Sequence, residues 1–454
     1  MQSRMNFDDV AWEQSEVIED AWIAGLFETD TLKEIGNLIV KHRKGVPVEL
    51  CDATAGGFNV CFRMKFEDSG SAIIRFPKPG IGMFPEEKVR NEVAVMKYLR
   101  DHTSIPVPVI IHWGTKEESP PGLGPFIIME YIDYAMDLST ALNTPGLDIK
   151  DRPVLDPHID NDKLEMLYGQ LADILLQLSR LSFHRIGSLS QIDDSTWEIA
   201  RRPLSINMNE LHLHISKPLA ELHTEHLTQQ RNDAVDSADD CRRKFVARRL
   251  FRKIARDGRL TSSFPKDSGP FKIWCDDLRP SNVLVDADLK IVGVVDWEFT
   301  YAAPAEFSYA PPWWLLLEQP DYWPDGIEAW GKRFEHRLQT FLKVLLEREA
   351  AALEQGNLKE DQRLSGPMQQ SWENGDFGVI YAARKNFAFD AIFWQKLDDR
   401  FFGPSGVSEQ DRWKERIDLL DQEEKNYMEE FVSRKLEEMK ERILAWEPEE
   451  GSEC

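Results

Sequence analysis

Near the start of the chain Trp12, Val17, Ile18, Trp22, Ile23 and Leu26 recur close to helical spacing, and Thr31 opens a second such segment, so residues 8–43 are predicted helical. Alternation then takes over. Strands are predicted at Val48 to Ala53, Phe58 to Phe66 and Ser71 to Phe76, joined at Gly56-Gly57 and Asp68-Ser69-Gly70 as a β-meander. Pro85 to Arg100 returns to the helical period, with Val89, Val93, Met96 and Leu99 on one face. IPVPVIIHWG reads as a Pro-restricted loop and a strand, and Gly124 to Tyr131 as another strand. Leu164, Leu167, Leu171, Leu175, Leu178 and Leu181 stripe a core helix over Lys163 to Ser182. Two short apolar runs, Val283-Leu284-Val285 and Ile291 to Val295, flank Ala287-Asp288 and predict a hairpin. Helices are predicted for Trp330 to Ala352, Phe377 to Leu397 and Gln410 to Trp446.

The 454 residues exceed one compact core, so two or more lobes are expected. With 42% hydrophobic and 30% charged residues the composition is that of a globular soluble protein. A net charge of −24 disfavours nonspecific binding of nucleic acid or acidic lipid, because a polyanion repels another polyanion. Cys51, Cys61, Cys241, Cys275 and Cys454 are an odd, unclustered set without metal-ligand spacing, which favours a reducing compartment. The acidic residues of MQSRMNFDDVAWEQSEV do not suit a signal or transit peptide, and no apolar run is long enough to span a membrane. A cytoplasmic location is expected.

The ends of the hairpin carry the candidate chemistry. Asp277 precedes its first strand, Asn282 lies five residues further on, and Asp296 and Glu298 follow the second strand. One hairpin thus gathers four oxygen-bearing side chains, and hard oxygen ligands suit Mg²⁺ with a nucleotide phosphate. In Gly56-Gly57-Phe58-Asn59 the missing Cβ atoms let backbone N–H groups approach phosphate, although a plain hairpin turn has the same composition.

D-x-x-x-x-N followed by an apolar strand and D-W-E resembles the active-site pattern of the aminoglycoside phosphotransferase and choline kinase-like family, fungal phosphotransferase-family proteins in particular. The resemblance implies an α+β, protein kinase-like two-lobed fold. Residues 1–131 would form the lobe with the small antiparallel β-sheet, and 132–454 the large, mainly helical lobe with the catalytic hairpin 271–301. It implies transfer of the γ-phosphoryl group of ATP to a hydroxyl of a small molecule, with Mg²⁺. Asp277 would accept a hydrogen bond from that hydroxyl, and Arg279 would screen the transferring group. Asn282 and Asp296 would hold the metal, with Glu298 as a further ligand or beside it. Gly56, Gly57 and Asn59 would cover the phosphates. Arg75 stands where the family has a phosphate-binding lysine, keeping the charge and adding a bidentate fork. Glu92 would pair with Arg75, with Glu86 and Glu87 as rivals. Main-chain groups at Glu130, Tyr131 and Ile132 would meet the adenine. The chain departs from the family at Cys275-Asp276, where His-Gly is usual, and with Arg75 this leaves a nucleotide-binding pseudokinase or scaffold as the alternative. Asp276 adds a second carboxylate beside Asp277, but successive side chains diverge in an extended strand.

Outside the hairpin, Trp372, Asp376, Asp390 and Trp394 are candidates for an acceptor pocket, with Asp390 as partner for an amine, although core tryptophans and solvated aspartates are the default reading. A cationic acceptor is compatible with the net acidity. His223 and His226 share a predicted helix face, for which solvation is the better reading and metal binding the sharper one. Cys241 to Arg256 is a basic amphipathic helix; such a helix can contact anionic lipid or a protein partner, but a core helix with a solvated basic face, beside the acidic run Asp233 to Asp240, is the more ordinary reading. Pro311 to Leu316 is expected to pack under the active-site loop.

Overall fold

A computed structural model describes residues 8–148, 151–210, 219–260 and 269–444, together with the side chains of these residues except at positions 209, 210, 219 and 220. Two helices, α1 (Asp9–Leu26) and α2 (Thr29–His42), precede an antiparallel sheet. Its strands are β1 (Pro47–Leu50), β2 (Thr54–Ala55), β3 (Asn59–Phe66), β4 (Ser71–Pro77), β5 (Ile110–Gly114) and β6 (Phe126–Glu130), ordered β1-β3-β4-β6-β5 with β2 paired to β3. The inward positions of β3 and β4, Val60, Phe62, Met64, Ala72, Ile74 and Phe76, pack against Ile35, Leu38 and Ile39 of α2. Alternation in the strands and the helical period in α2 thus meet as two faces of one core. Little of α1 is fully buried, and Val17 is 61% exposed, so its apolar stripe covers rather than fills.

Helix α3 (Pro85–His102) crosses the sheet between β4 and β5, with Pro85 at its first turn, where a missing N–H costs no hydrogen bond. Val89, Val93, Met96 and Leu99 are buried as their spacing predicts, and they join Ile127 and Met129 to the core of the mainly helical remainder. There the helix Asn161–Arg180, capped by Asp160 Oδ1 accepting from Lys163 N at 2.9 Å, packs along the helix Gly326–Glu354. Tyr168 and Phe341 meet edge-on between them, 5.6 Å apart. Trp314, Leu315 and Leu316 are buried beside them.

Two of the predicted long helices are broken. Phe377 to Leu397 divides into Asp376–Arg384 and Phe389–Ile392, the latter running into a wider turn over Phe393–Leu397. Asn386, itself buried, accepts from Phe389 N in the gap. Gln410 to Trp446 divides at Asp421, whose side chain and that of Glu424 form a reciprocal N-terminal cap for Gln422–Glu441. Among the described residues no helix is long and apolar enough to cross a membrane.

Candidate active site

The strand Phe271–Cys275 pairs antiparallel with Thr300–Pro304, Cys275 opposite Thr300. The strand Val283–Val285 pairs in the same sense with Ile291–Val294, Val283 opposite Val294. Segments 276–282 and 295–299 therefore run side by side between two small sheets. They are stitched together where Asp276 N donates to Phe299 O at 3.2 Å and Val295 N to Asn282 O at 2.9 Å. The hairpin expected from the apolar runs is present, and the pairing of its flanking strands, which periodicity did not reveal, holds the two polar segments in contact.

Asn282, nearly buried, donates from Nδ2 to Asp277 O at 2.9 Å and to Asp277 Oδ2 at 3.1 Å. Arg279 Nε lies 3.1 Å from Asp277 Oδ1. The five-residue spacing thus closes a loop in which the amide fixes the carboxylate. Burial raises the Asp277 carboxyl to about 6, with Arg279 opposing and Asp296 and Glu298 adding to the rise. Asp276 and Asp277 stand in a turn beyond the strand end at Cys275, not in the extended strand expected, and Asp276 has partners of its own. It takes Trp274 Nε1 at 2.8 Å and Ile206 N at 3.2 Å, with Arg384 Nη1 at 3.9 Å.

Asp296 stands at φ 58°, a left-handed conformation rare outside glycine and found at functional sites that the surrounding structure holds in place. Arg75 Nη1 is 2.7 Å from its Oδ1, and Arg75 Nη2 is bonded to Glu92, so the guanidinium of the central strand β4 bridges α3 to the 295–299 segment. Of the three rival glutamates Glu92 is the partner. Burial, and then Glu298, push the Asp296 carboxyl up while Arg75 and Lys88 pull it down, and 36% of the side chain stays open.

Glu298 faces a different cation. Its Oε2 is 2.8 Å from Lys88 Nζ and accepts from Asn59 Nδ2 at 3.1 Å, and Lys88 also donates to Asn59 Oδ1 at 3.1 Å. Asn59 is thereby turned inward. Gly56 N donates to Asn59 O at 2.9 Å, closing the turn. A Cβ at Gly57 would meet nothing within 4 Å, and neither glycine has a positive φ, so the chain itself does not require glycine there. Lys88 had no place among the residues singled out by motif. Its spacing of four from Glu92, which sets both on one face of α3, was the available signal.

At the end of β6 the N–H groups of Glu130 and Tyr131 are already used, by Val109 O at 2.9 Å and Ser71 O at 3.1 Å. Among the described residues the Ile132 N–H has no backbone acceptor. The Ile132 side chain presses on Gly293, where a Cβ would come within 2.7 Å of Ile132 Cδ1.

Other expectations need correction. Asp390 is held by both Nη atoms of buried Arg248, at 2.7 and 3.0 Å, and Asp376 by Arg400 at 2.6 Å, so neither waits for an amine. Trp394 is fully buried, and Trp372 packs against Trp330, Phe334 and Phe377, so both are the core tryptophans of the default reading rather than walls of an acceptor pocket. His223 and His226 are buried, not solvated, against Phe251, Phe389 and Phe387. Most cations of the basic helix, Ala238–Arg256, are matched within the chain, Arg242 by Glu429, Arg243 by Glu409 and Arg252 by Glu424. Of its basic residues Lys244 and Arg248 are buried, while Lys253 and Arg256 are exposed. Two further histidines of the same predicted segment, His212 and His214, lie outside the described residues.

Among the described residues no three His, Cys, Asp and Glu side chains cluster closely enough to hold a metal alone. A carboxylate at Asp296 and an amide at Asn282, both oxygen donors, fit Mg²⁺, which takes one or two protein ligands and completes its shell with water and phosphate.

The model of the phosphotransferase enzyme family matches residues 59–337, more than half of the chain. A subtelomeric hrmA-associated cluster protein of Aspergillus fumigatus is 25% identical over 150 residues, 33% of this chain and 26% of that protein, so the match spans about a quarter of the curated relative. The amicoumacin kinase hAmiN, solved with AMP-PNP, Ca²⁺ and Ami, is 12% identical over 94% of this chain and 98% of its own, with a TM-score of 0.44. The aminoglycoside phosphotransferase APH(4)-Ia, solved with AMP-PNP and hygromycin B, is 12% identical over 79% of this chain and 98% of its own, with a TM-score of 0.40. An ethanolamine kinase of Plasmodium vivax is 11% identical over 87% of this chain and 84% of its own, with a TM-score of 0.36.

Proposed function

The chain belongs to the phosphotransferase enzyme family, with its protein kinase-like fold, and on that premise we propose that it transfers the γ-phosphoryl group of ATP to a hydroxyl of a small molecule with Mg²⁺. The observation that carries the reading is the convergence of Asp277, Asn282 and Asp296 across two adjoining segments, with Arg75 tying Asp296 to Glu92. A turn or a scaffold needs no such set.

Asp277 receives the hydrogen bond of the acceptor hydroxyl. With its carboxyl at about 6 it is ionised at neutral pH yet basic enough to draw that proton. Asn282 aims it, and Arg279, 41% exposed, screens the transferring group beside it. Asn282 and Asp296 would hold Mg²⁺, whose charge neutralises phosphate oxygens in a reaction that depends on alignment and electrostatics. Arg75, with its Nη atoms on Glu92 and Asp296, lends its charge to the phosphate site from the sheet, Gly56 and Gly57 admit the phosphates, and the Ile132 N–H is the donor for the adenine edge. The lobe boundary falls at Ile132, placing the nucleotide between residues up to 131 and those beyond.

Thermal unfolding with ATP and Mg²⁺, together and apart, tests this on the wild type and on Asp296→Ala. Stabilisation that needs both ligands and is lost in the variant is the expected result. No shift well above millimolar nucleotide would overturn the reading.

A further inference from the structure

We propose that Lys88 is a positioning residue of the nucleotide site: from inside α3 it fastens the glycine turn to the 295–299 segment through Asn59 and Glu298, and so sets where Asp296 stands. The proposal rests on the phosphotransfer reading above. It starts from one ammonium that joins three pieces of chain far apart in sequence. Lys88 Nζ reaches Glu298 Oε2 at 2.8 Å and Asn59 Oδ1 at 3.1 Å, and Asn59 Nδ2 closes the triangle on Glu298 at 3.1 Å.

The side chains of Lys88 and Glu298 are 3% and 2% exposed. The Phe58 and Phe299 rings, 5.3 and 5.7 Å from Nζ, stand over the ammonium. A charge buried this deeply persists only when paired and hydrogen-bonded, so each member of the triangle fixes the others. Burial also keeps Lys88 off the nucleotide, so it acts through its partners. Phe58 belongs to the glycine turn and Phe299, at φ 59°, to the loop that carries Asp296, so the cage spans both lips of the proposed phosphate site.

Geometry along α3 adds the second point of attachment. Lys88 and Glu92 lie one helical turn apart. Lys88 grips Glu298 directly, and Glu92 grips Asp296 through Arg75. The helix therefore holds the 296–298 segment at two places, and its position and that of Asp296 move together. Groups that orient a metal-binding side chain typically matter 10–100-fold to metal affinity.

The test is Mg²⁺ titration at fixed ATP, read as nucleotide-dependent thermal stabilisation beside the ligand-free unfolding midpoint, on Lys88→Met, Glu298→Gln and the double variant. Lys88→Met is expected to raise the Mg²⁺ requirement about 10–100-fold and to add nothing once Glu298 is already glutamine, because it acts through that residue. A Lys88→Met protein that folds with a wild-type Mg²⁺ requirement overturns the proposal, as do effects of the two substitutions that multiply. If Lys88→Met does not fold, the double variant against Glu298→Gln decides: equal requirements support the proposal and a further rise overturns it. A wild type without any Mg²⁺-dependent nucleotide response removes the phosphotransfer reading and this proposal with it. A responsive wild type with indifferent Lys88 variants removes this proposal alone.

Discussion

Arg248 holds Asp390 with two nitrogens at 2.7 and 3.0 Å, and Arg416 holds Asp398 at 2.8 and 3.2 Å, inside the C-terminal helices. Each of these two carboxylates has a guanidinium fork of its own. In the 276–299 region the arrangement differs: Asp296 and Glu298 both push the Asp277 carboxyl up and Glu298 pushes Asp296 up, while Lys88 and Arg75 hold Glu298 down. Arg75 is shared between Asp296 and Glu92, and Asp296 remains partly open. The first region spends its charges on holding helices together. In the second, acidity is left over at an open position, which suits a cation brought in with a substrate.

Breaking the second region should cost the most in function. Asp277→Ala is expected to lower kcat by about 10²–10⁴-fold with ATP affinity nearly intact, measured by steady-state kinetics once an acceptor is found and by nucleotide titration. In the wild type kcat/KM should fall as pH drops through about 6, since Asp277 is then protonated and accepts no proton. Unchanged turnover in the variant would take Asp277 out of the mechanism.

The matched region should answer in stability instead. Arg248→Met strands Asp390 and should cost about 3–5 kcal/mol in urea unfolding, whereas Arg248→Met with Asp390→Leu should recover most of that. A double variant as unstable as the single would show that packing, not charge, is what Arg248 supplies.

A smaller effect is expected from acid. Burial first, and Arg248 beside it, lower His223 from 6.5 to about 3, and the same two causes lower His226 well below 6.5. The unfolded chain therefore binds protons that the folded chain refuses as pH falls below 6.5, and stability drops through that window. About 2 kcal/mol from His223 should be gone by pH 5, with His226 acting in the same direction. Urea midpoints at pH 7.5 and 5 measure it, and His223→Gln should flatten the slope.

Smallest of all in stability is Gly57→Ala, expected within about 0.5 kcal/mol because nothing stands where the methyl would go. If Gly57 admits phosphate, the same change should nevertheless raise KM for ATP. An unchanged KM would leave Gly56-Gly57 as a plain turn.

The contrast also separates what a sequence discloses from what it hides. Strands β3 and β4, helix α3 and the hairpin were legible because alternation and helical period are local properties. The D-x-x-x-x-N spacing was legible too, since Asn282 reaches Asp277 within one loop. The breaks at Lys385 and Asp421 were missed where apolar and charged residues keep helical spacing across a cap. Asp390 and Asp376 were read as available, and His223 and His226 as solvated, since charge and ring type say nothing about depth in the core.

By itself the chain determined most of the element order and the polar ends of the hairpin, and it narrowed the partner of Arg75 to three glutamates of one helix, among which the structure chose Glu92. Tertiary structure alone decided that Lys88 meets Glu298, 210 positions along, and that Arg248 meets Asp390, 142 positions along. Ion-pair partners at such separations are chosen by which surfaces the packed core brings together, and burial, not residue type, then sets whether a charge is spent on the fold or left for chemistry.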